Sequence, residues 1–588
     1  MRASRPPTRS LDLFRSPAAA RDVSGWRQQL ERILRALGPT WQGTPLRRVI
    51  QTASLLIFLA LFFLVAWPYA VPFSTRVLPD KEWLPVETFL WLDPLVGLST
   101  ALAARAWNVA LIGTGVVLLT GLILPRGFCG YLCPLGTLID LRDAAVKHIV
   151  GPTTRLRGGQ RPLHPRLPGA LSRRTGEGRG EGLSEGEPIP PHANRLTRAC
   201  TNLRFYLLAG VLTAALGGVL LSGFVAAIPL LTRGLLFSAG NVQLGLGKNW
   251  GMVPPVTGAV WLSLLLFAGV FLLGLLGPRF WCRHVCPTGA LLSATGWFRR
   301  YRRQVDERCV ACGKCRAACP FDAIQPDFGT RTLNCAFCQT CAGVCPTEAI
   351  HFVPLTAPVP GSRPEVGLRQ GLTRRAMAGS LASGAVAAWL TRCGTTTYAS
   401  PIRPPGAVPE DQFLDLCIRC EQCLKVCPGP VLQAAGLEHG FEALWTPVAM
   451  FPHAGCHQDC HFCTQVCPTG AIRPLSPDEK RRFVMGLAVV DPAACLPHRG
   501  ELECRLCFEE CTAAGYRAIE MRPVRLATGP VPEGLFSPGE IEQMGRILAP
   551  FVNAQACVGC GLCEYRCHAM WVRRQPRLAR SAVVVRPP

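Results

Sequence analysis

Cysteines in this chain come mostly in runs of four, at spacings that hold iron and sulfide. Cys309, Cys312, Cys315 and Cys319 precede Pro320, and Cys335, Cys338, Cys341 and Cys345 precede Pro346. This is C-x2-C-x2-C-x3-C-P written twice, the two-cluster ferredoxin spacing, in which the fourth cysteine of each run ligates the other cluster. The expected sets are Cys309, Cys312, Cys315 and Cys345 for one 4Fe-4S cubane, and Cys335, Cys338, Cys341 and Cys319 for its neighbour. Four more tetrads follow: Cys417, Cys420, Cys423 and Cys427; Cys456, Cys460, Cys463 and Cys467; Cys495, Cys504, Cys507 and Cys511; and Cys557, Cys560, Cys563 and Cys567. Each closes with C-x3-C, so six 4Fe-4S clusters are expected in all. Spacing does not say which of the last four tetrads exchange ligands. Those at 456 and 495 open with C-x3-C and C-x8-C, which reads as loops inserted between ligands.

Two half motifs stand apart. Phe128 to Gly136 reads FCGYLCPLG and Trp281 to Gly289 reads WCRHVCPTG, each directly after a hydrophobic run. Cys129, Cys133, Cys282 and Cys286 make four thiols, enough for a seventh centre shared between the motifs. The alternative is a pair of capped helix ends with reduced structural thiols. His284 lies inside the second half motif, and His457, His461 and His568 sit beside cluster cysteines. The cysteines already suffice as ligands, so the histidines are read as residues around a centre or on the surface. Cys200 and Cys393 belong to no tetrad.

Other chemistries fit less well. The 30 cysteines could form a disulfide framework in an extracellular chain, but closure by C-x3-C suits cubanes. A structural zinc could occupy one tetrad and is a poor fit to a tandem pair with both prolines in place. Haem attachment of the c type needs C-x2-C-H, whereas CHQDCH and CEYRCH are C-x3-C-H. The net charge of +24 lies wholly in residues 1–400, because residues 401–588 hold 19 Lys+Arg against 19 Asp+Glu. That excess brackets apolar runs, which points to membrane orientation and away from nucleic acid. No nucleophile and base pair, phosphate loop or molybdenum-type domain stands out. Six clusters without a substrate site of their own describe an electron relay. A relay fed from a membrane implies a lipid-soluble two-electron donor, a quinol. Asp93 or Glu87, expected near the outer ends of the first two spans, could take a quinol proton; the plainer reading is two solvated loop acids.

These cysteines need elements to place them. Four apolar runs, 49–71, 107–125, 205–231 and 258–278, reach about the 20 residues that a bilayer requires. Lys and Arg number 10 in residues 1–48, 3 in 72–106, 13 in 126–204 and 2 in 232–257. The positive-inside rule then puts the amino terminus, both half motifs and the segment after the fourth run in the cytoplasm. Two helices followed by a half motif occur twice, a duplicated hairpin whose motifs could face each other. The expected architecture is an α-helical membrane domain of four spans plus two α+β ferredoxin-like polycluster domains. Its parts are a basic segment (1–48), the membrane domain (49–299) with a disordered insertion (151–197), a two-cluster domain (300–355), a linker (356–400) and a four-cluster domain (401–588). Within the linker, LTRRAMAGSLASGAVAAWL (372–390) reads either as a twin-arginine export signal or as a helical linker. The charge-neutral domain beyond it favours export, because a domain loaded with clusters must cross folded.

Residues 49–355, with four apolar runs, both half motifs and the two-cluster tail, resemble the NapH/MauN family of membrane ferredoxins. Residues 372–588 resemble the NapG/MauM family: a twin-arginine leader, then CIRCEQCLKVCPG, CHQDCHFCTQVCPTGAI, MGLAVVDPAACLPHRGELECRLCFEEC and NAQACVGCGLCEYRC. The chain looks like a fusion of the two, although its last motif ends Cys567-His568 where the family usually has proline. The resemblance implies a quinol dehydrogenase module that draws on the quinol pool and feeds a periplasmic acceptor, a cytochrome or a molybdenum reductase of the nitrate type. It also implies a multi-pass protein of the bacterial inner membrane, with the first ferredoxin domain cytoplasmic and the carboxy-terminal domain periplasmic. Two other functions stay open: an accessory ferredoxin for metal or cofactor assembly, and an electron donor in methylamine-type oxidation.

Overall fold

The computed structural model describes residues 43–64, 85–149, 202–247, 250, 253–356, 373–393, 400–525 and 546–587. The 151–197 insertion, Cys200 and residues 1–42 of the basic segment lie outside them. A helical domain comes first, built from α1 (Pro45–Phe63), α2 (Pro94–Ala104), α3 (Ala110–Ile123), α4 (Pro134–Ile149), α5 (Leu203–Leu216), α6 (Ala227–Leu235), α7 (Gly258–Leu272) and α8 (Pro287–Ala294). Two stretches, α1 and Gly258–Leu275, are long and apolar enough to cross a membrane, while α2, α3 and α5 are apolar but shorter.

Among the described residues, two of the four expected runs thus hold a helix of full spanning length. The apolar run 205–231 breaks into α5, a short turn of helix at Ser222–Val225, and α6. α5 stops at Gly217, and Gly218 takes a left-handed φ of 82° that a side chain would resist. α6 restarts after Ala226 turns to extended backbone. Hydropathy sees one apolar run here because every piece is apolar; the glycines that cut it carry no hydropathy signal.

Three helix starts meet at Asp93, which is fully buried. Its carboxylate accepts from Leu95 N in α2 (3.2 Å), from Ile228 N in α6 (3.3 Å) and from Thr288 Oγ1 in the first turn of α8 (3.1 Å). A negative charge suits the N-terminal ends of three helices. This corrects the expected position near the outer ends of two spans: Asp93 is a joint between helix starts, bonded to Thr288 directly after the Cys286-Pro287 motif. Glu87 is also buried, at the start of the short helix Thr88–Trp91, and is no solvated loop acid.

Two cluster domains sit at opposite ends of this helical layer. The first carries β1 (Tyr301–Val305) and β2 (Ile350–Pro354), paired antiparallel from Tyr301↔Pro354 to Val305↔Ile350. It meets the amino-terminal ends of α1 and α5: Arg47 Nη1 donates to Thr340 Oγ1 (3.4 Å), and Arg204 Nη2 to Asn334 Oδ1 (2.6 Å). The last domain carries β3 (Leu432–Ala434), β4 (Pro447–Ala449), β5 (Leu487–Val490), β6 (Ile519–Arg525), β7 (Arg546–Val552) and β8 (Val583–Arg586). They pair antiparallel as β3-β4, β5-β8 and β6-β7. This domain meets the other helix ends. Lys425 Nζ donates to Phe62 O at the end of α1, Arg419 Nη1 to Leu220 O beyond α5 (2.7 Å), and Trp445 Nε1 to Ala259 O at the start of α7 (2.7 Å).

Between the domains runs α9 (Arg374–Cys393), packed along α5 in the same direction. Thr373 N donates to Tyr206 Oη (3.2 Å) near one end, and Ala388 faces Gly217 at the other. The helices touch through small residues: a Cβ at Gly384 would stand 2.4 Å from Gly210 O. Such close approach of backbones is how helices associate without a hydrophobic drive between them.

Candidate iron–sulfur centres

In the four regular tetrads the residues flanking the second cysteine are left-handed: φ is 52° and 72° at Ala311 and Gly313, 48° and 56° at Phe337 and Gln339, 57° and 63° at Arg419 and Glu421, and 68° and 73° at Gly559 and Gly561. Non-glycine residues adopt this conformation at a cost. What it achieves is to turn successive backbone N–H groups toward one anionic point. Further N–H groups point at the fourth cysteines: Ala323 N donates to Cys319 Sγ (3.3 Å), Ile472 N to Cys467 Sγ (3.4 Å) and Ala518 N to Cys511 Sγ (3.3 Å).

The thiols gather across tetrads. Cys338, Cys341 and Cys319 are the thiol neighbours of Cys335. Cys309 and Cys312 neighbour Cys315, and Cys345 shares its apolar core with Cys309 and Cys315. In the last domain Cys467 lies beside Cys417 and Cys420, with Cys423 completing the group. Cys427 lies beside Cys456, Cys460 and Cys463. Cys567 lies beside Cys495 and Cys507, and Cys511 beside Cys557 and Cys563. The fourth cysteine thus crosses between the 417 and 456 tetrads and between the 495 and 557 tetrads, a pairing that spacing left open.

These groups fit a cluster. Cys495, Cys504, Cys507 and Cys567 line a single cavity of about 360 Å³, mouth included, and Trp571 Nε1 donates to Cys504 Sγ (3.4 Å). Burial pushes the thiols up, to about 11 for Cys417 and about 12 for Cys507 and Cys560. Only bound cations would keep such crowded, buried groups as thiolates. Among the described residues no three of His, Cys, Asp and Glu close on a single-ion site. The groups also touch in order. Cys463 neighbours Cys423, Cys456 N donates to Cys560 O (2.8 Å), and Cys507 neighbours Cys563.

The half motifs are brought face to face. Cys133 has Cys129, Cys282 and Cys286 as thiol neighbours, and all four lie in or against one core. Each motif turns through a wide loop of helix, Cys133 N to Phe128 O (2.8 Å) and Cys286 N to Trp281 O (2.9 Å), before its proline opens the next helix. Two arginines lock the pair reciprocally. Arg126 Nη2 donates to Cys282 O (3.0 Å), and Arg279 Nη1 donates to Cys129 O (3.2 Å). Both start from left-handed backbone, φ 56° and 50°. Gly136 and Gly289 make room, since a Cβ on either would come 3.3 Å from the Cys129 carbonyl or the Arg126 guanidinium. Both guanidinium groups stack on the ring of Phe321, at 4.6 and 4.7 Å, just beyond Cys319-Pro320. Arg279 additionally grips Asp140 with two bonds of 2.5 and 2.8 Å.

These arginines escaped the reading of the sequence, although the signal was there. The repeat is longer than C-x3-C-P: Pro125-Arg126 and Pro278-Arg279 extend both motifs to P-R-x-x-C-x3-C-P-x-G. Of the histidines, His284 packs its ring 4.6 Å from that of Phe280, and His457 Nδ1 accepts from Asp459 N (3.2 Å). His461 and His568 each keep a buried Nδ1 without a hydrogen-bond partner.

Cysteine groups on ferredoxin-type backbones define an iron–sulfur electron-transfer protein. A 4Fe-4S binding domain family matches residues 107–152, and an LdpA Fe-S cluster-binding domain family matches residues 278–328. The methylamine utilization ferredoxin-type protein MauM of Methylobacillus flagellatus is 34% identical over 202 residues, 33% of this chain and 76% of that protein. The ferredoxin-type protein NapG of Escherichia coli is 36% identical over 195 residues, 32% of this chain and 76% of that protein. The chain belongs to this MauM/NapG family of ferredoxin-type proteins. MauN of Methylorubrum extorquens, another methylamine utilization ferredoxin-type protein, is 27% identical over 280 residues, 47% of this chain and 73% of its own length. No solved structure matches.

Proposed function

We propose that the chain is a membrane-bound relay that takes electrons from quinol and passes them through 4Fe-4S clusters to a periplasmic acceptor. It unites a NapH/MauN-like half with the NapG/MauM-like half, a reading supported by the MauN match and by the two cluster domains. The ligand sets are Cys309, Cys312, Cys315 and Cys345; Cys335, Cys338, Cys341 and Cys319; Cys417, Cys420, Cys423 and Cys467; Cys456, Cys460, Cys463 and Cys427; Cys495, Cys504, Cys507 and Cys567; and Cys557, Cys560, Cys563 and Cys511. A seventh centre rests on Cys129, Cys133, Cys282 and Cys286. Each bound cluster would carry one electron at a time; the chain's part is to hold it, aim N–H groups at its sulfur and keep water away.

One observation carries this reading: cysteine groups stand on both sides of the helical layer and within its core. A Cβ at Gly130, between the first half-motif cysteines, would lie 3.5 Å from Ala336, next to Cys335. Arg126 joins Cys282 O to Asn334 O, the latter at 3.4 Å. On the far side Cys420 shares a core with Cys133, Cys282 and Cys286. Positive-inside charge puts the half-motif end in the cytoplasm. The last domain, at the other helix ends, is then periplasmic, and α9 with Arg374 and Arg375 is the twin-arginine segment that carried it across.

The test is anaerobic reduction in detergent. A short-chain quinol should promptly bleach the cluster absorbance of a protein holding about 24 or more irons per chain. Intact clusters that dithionite bleaches and quinol does not would refute the relay and leave assembly of another protein's cofactor as the function.

A further inference from the structure

Where the helical domain meets the last cluster domain there is a cavity of about 720 Å³, mouth included. One wall is helical and largely apolar, with Phe237, Leu244 and Val260; the other is the loop carrying Cys427 and Pro430. Asn241, Thr257, Lys425 and Gln433 add polar groups to the lining. Thr257 Oγ1 is buried and has no hydrogen-bond partner. The amides donate to backbone, Asn241 Nδ2 to Phe237 O (3.3 Å) and Gln433 Nε2 to Pro430 O (3.3 Å), while Lys425 Nζ donates to Phe62 O. Along the chain beside these residues, Val242, Leu246, Trp250 and Val256 are apolar and 49–75% exposed.

We propose that this cavity binds the hydroquinone ring of a quinol, with the exposed apolar residues meeting its isoprenoid tail; the proposal rests on the relay reading above. Thr257 Oγ1 and Lys425 Nζ are the groups that hydrogen-bond the ring oxygens. An apolar ring needs apolar walls, its two hydroxyl groups need polar partners, and its electrons need an acceptor nearby. Cys427 lines the cavity and neighbours Cys456, Cys460 and Cys463, so a bound ring lies against that cluster set. Oxidation of one hydroquinone breaks two O–H bonds, sends two protons to water and gives one electron to each of two cubanes in the line. Electrons then join the relay already on the side of the last domain.

The experiment uses the full anaerobic protein in detergent and a photoreactive azidoquinone, with peptide mapping. Label on peptides containing residues 241–260 or 424–434, displaced by excess unlabelled short-chain quinone, is the expected result. Leu244→Trp, which fills the cavity from its rim, should cut that labelling by about tenfold or more, with iron content and dithionite bleaching unchanged. Thr257→Val, nearly the same shape without the hydroxyl, should weaken labelling less but measurably. Label elsewhere, label that quinone does not displace, or labelling at the parent level in both variants overturns the cavity. Failure of quinol to bleach the parent's clusters would defeat the relay reading alone, because the labelling decides the cavity whatever the bleaching does.

Discussion

Arg126 and Arg279 hold two distant half motifs together by each reaching for the carbonyl of the other's first cysteine. Arg279 carries more than the hydrogen bond, because its partner Asp140 also meets Arg48 at 2.8 Å and Arg47 at 3.6 Å. Removing Arg279 leaves the buried Asp140 with Arg48 and Arg47 alone, at a cost below the roughly 3–5 kcal/mol of stranding a buried charge outright. Arg279→Gln should therefore lower the melting temperature of the helical domain clearly more than Arg126→Gln, which strands no carboxylate; circular dichroism would measure both. Burial alone would raise the Asp140 carboxyl, but Arg279, Arg48 and Arg47 outweigh it and hold it well below the usual carboxylate range. A depressed folded value means that the stabilisation is complete above the unfolded value of about 4 and fades only as pH falls through the folded value. Melting should thus be flat with respect to this group from about pH 5 to 8, and Asp140→Asn should lower it throughout that window. At the paired motifs, Cys129→Ser with Cys282→Ser should reduce the iron bound per chain, as measured by metal analysis; unchanged iron would favour structural thiols. The cysteines were legible because iron ligation dictates residue type and spacing. The arginines repeat with the motifs, but their partners were not legible, because what they touch lies more than 140 residues away.

At the scale of elements, hydropathy found where apolar helices lie and missed where they stop. Gly218 and Ala226 cut one run of residues into three pieces, and Asp93 gathers the restarted helices against α8. Those joints depend on tertiary hydrogen bonds that no local pattern encodes. α9 is the reverse case: its sequence is too polar to count among the apolar spans, yet its Gly and Ala face fits α5 closely. Gly384→Leu would force a side chain onto Gly210 O, and overpacking of this kind costs about 1–3 kcal/mol or more. The expected outcome is a variant whose 356–400 linker is cut by protease far faster than the parent's, with iron content retained. On the export reading proposed above, a helix packed this way would stay in place, so the membrane fraction should show one chain of 63.7 kDa on a denaturing gel. Two fragments parted near residue 393 would mean that the segment is removed.

Across the whole molecule the cysteine groups run from the first cluster domain, past the half motifs, through the 417, 456 and 557 groups to the 495 group. Spacing gave the six tetrads and hid their order, since a fourth cysteine can serve any cluster that the fold brings near. The crossing makes a specific forecast. Cys567 stands in the 557 tetrad by sequence, yet lies in the cavity lined by Cys495, Cys504 and Cys507. Cys567→Ser and Cys495→Ser should therefore remove or alter the same paramagnetic signal in the reduced protein. Cys511→Ser and Cys557→Ser should share a different one. If each cysteine served its own tetrad, Cys567→Ser would pair with Cys557→Ser, and the spectra of the four variants would separate the two schemes. The 495 group is also the end of the line farthest from the helical layer by its order of contacts, so its loss should leave quinol bleaching of the other clusters intact. Transfer to a protein acceptor too bulky to reach the buried groups should fall sharply in the same variant, because that surface would be where electrons leave.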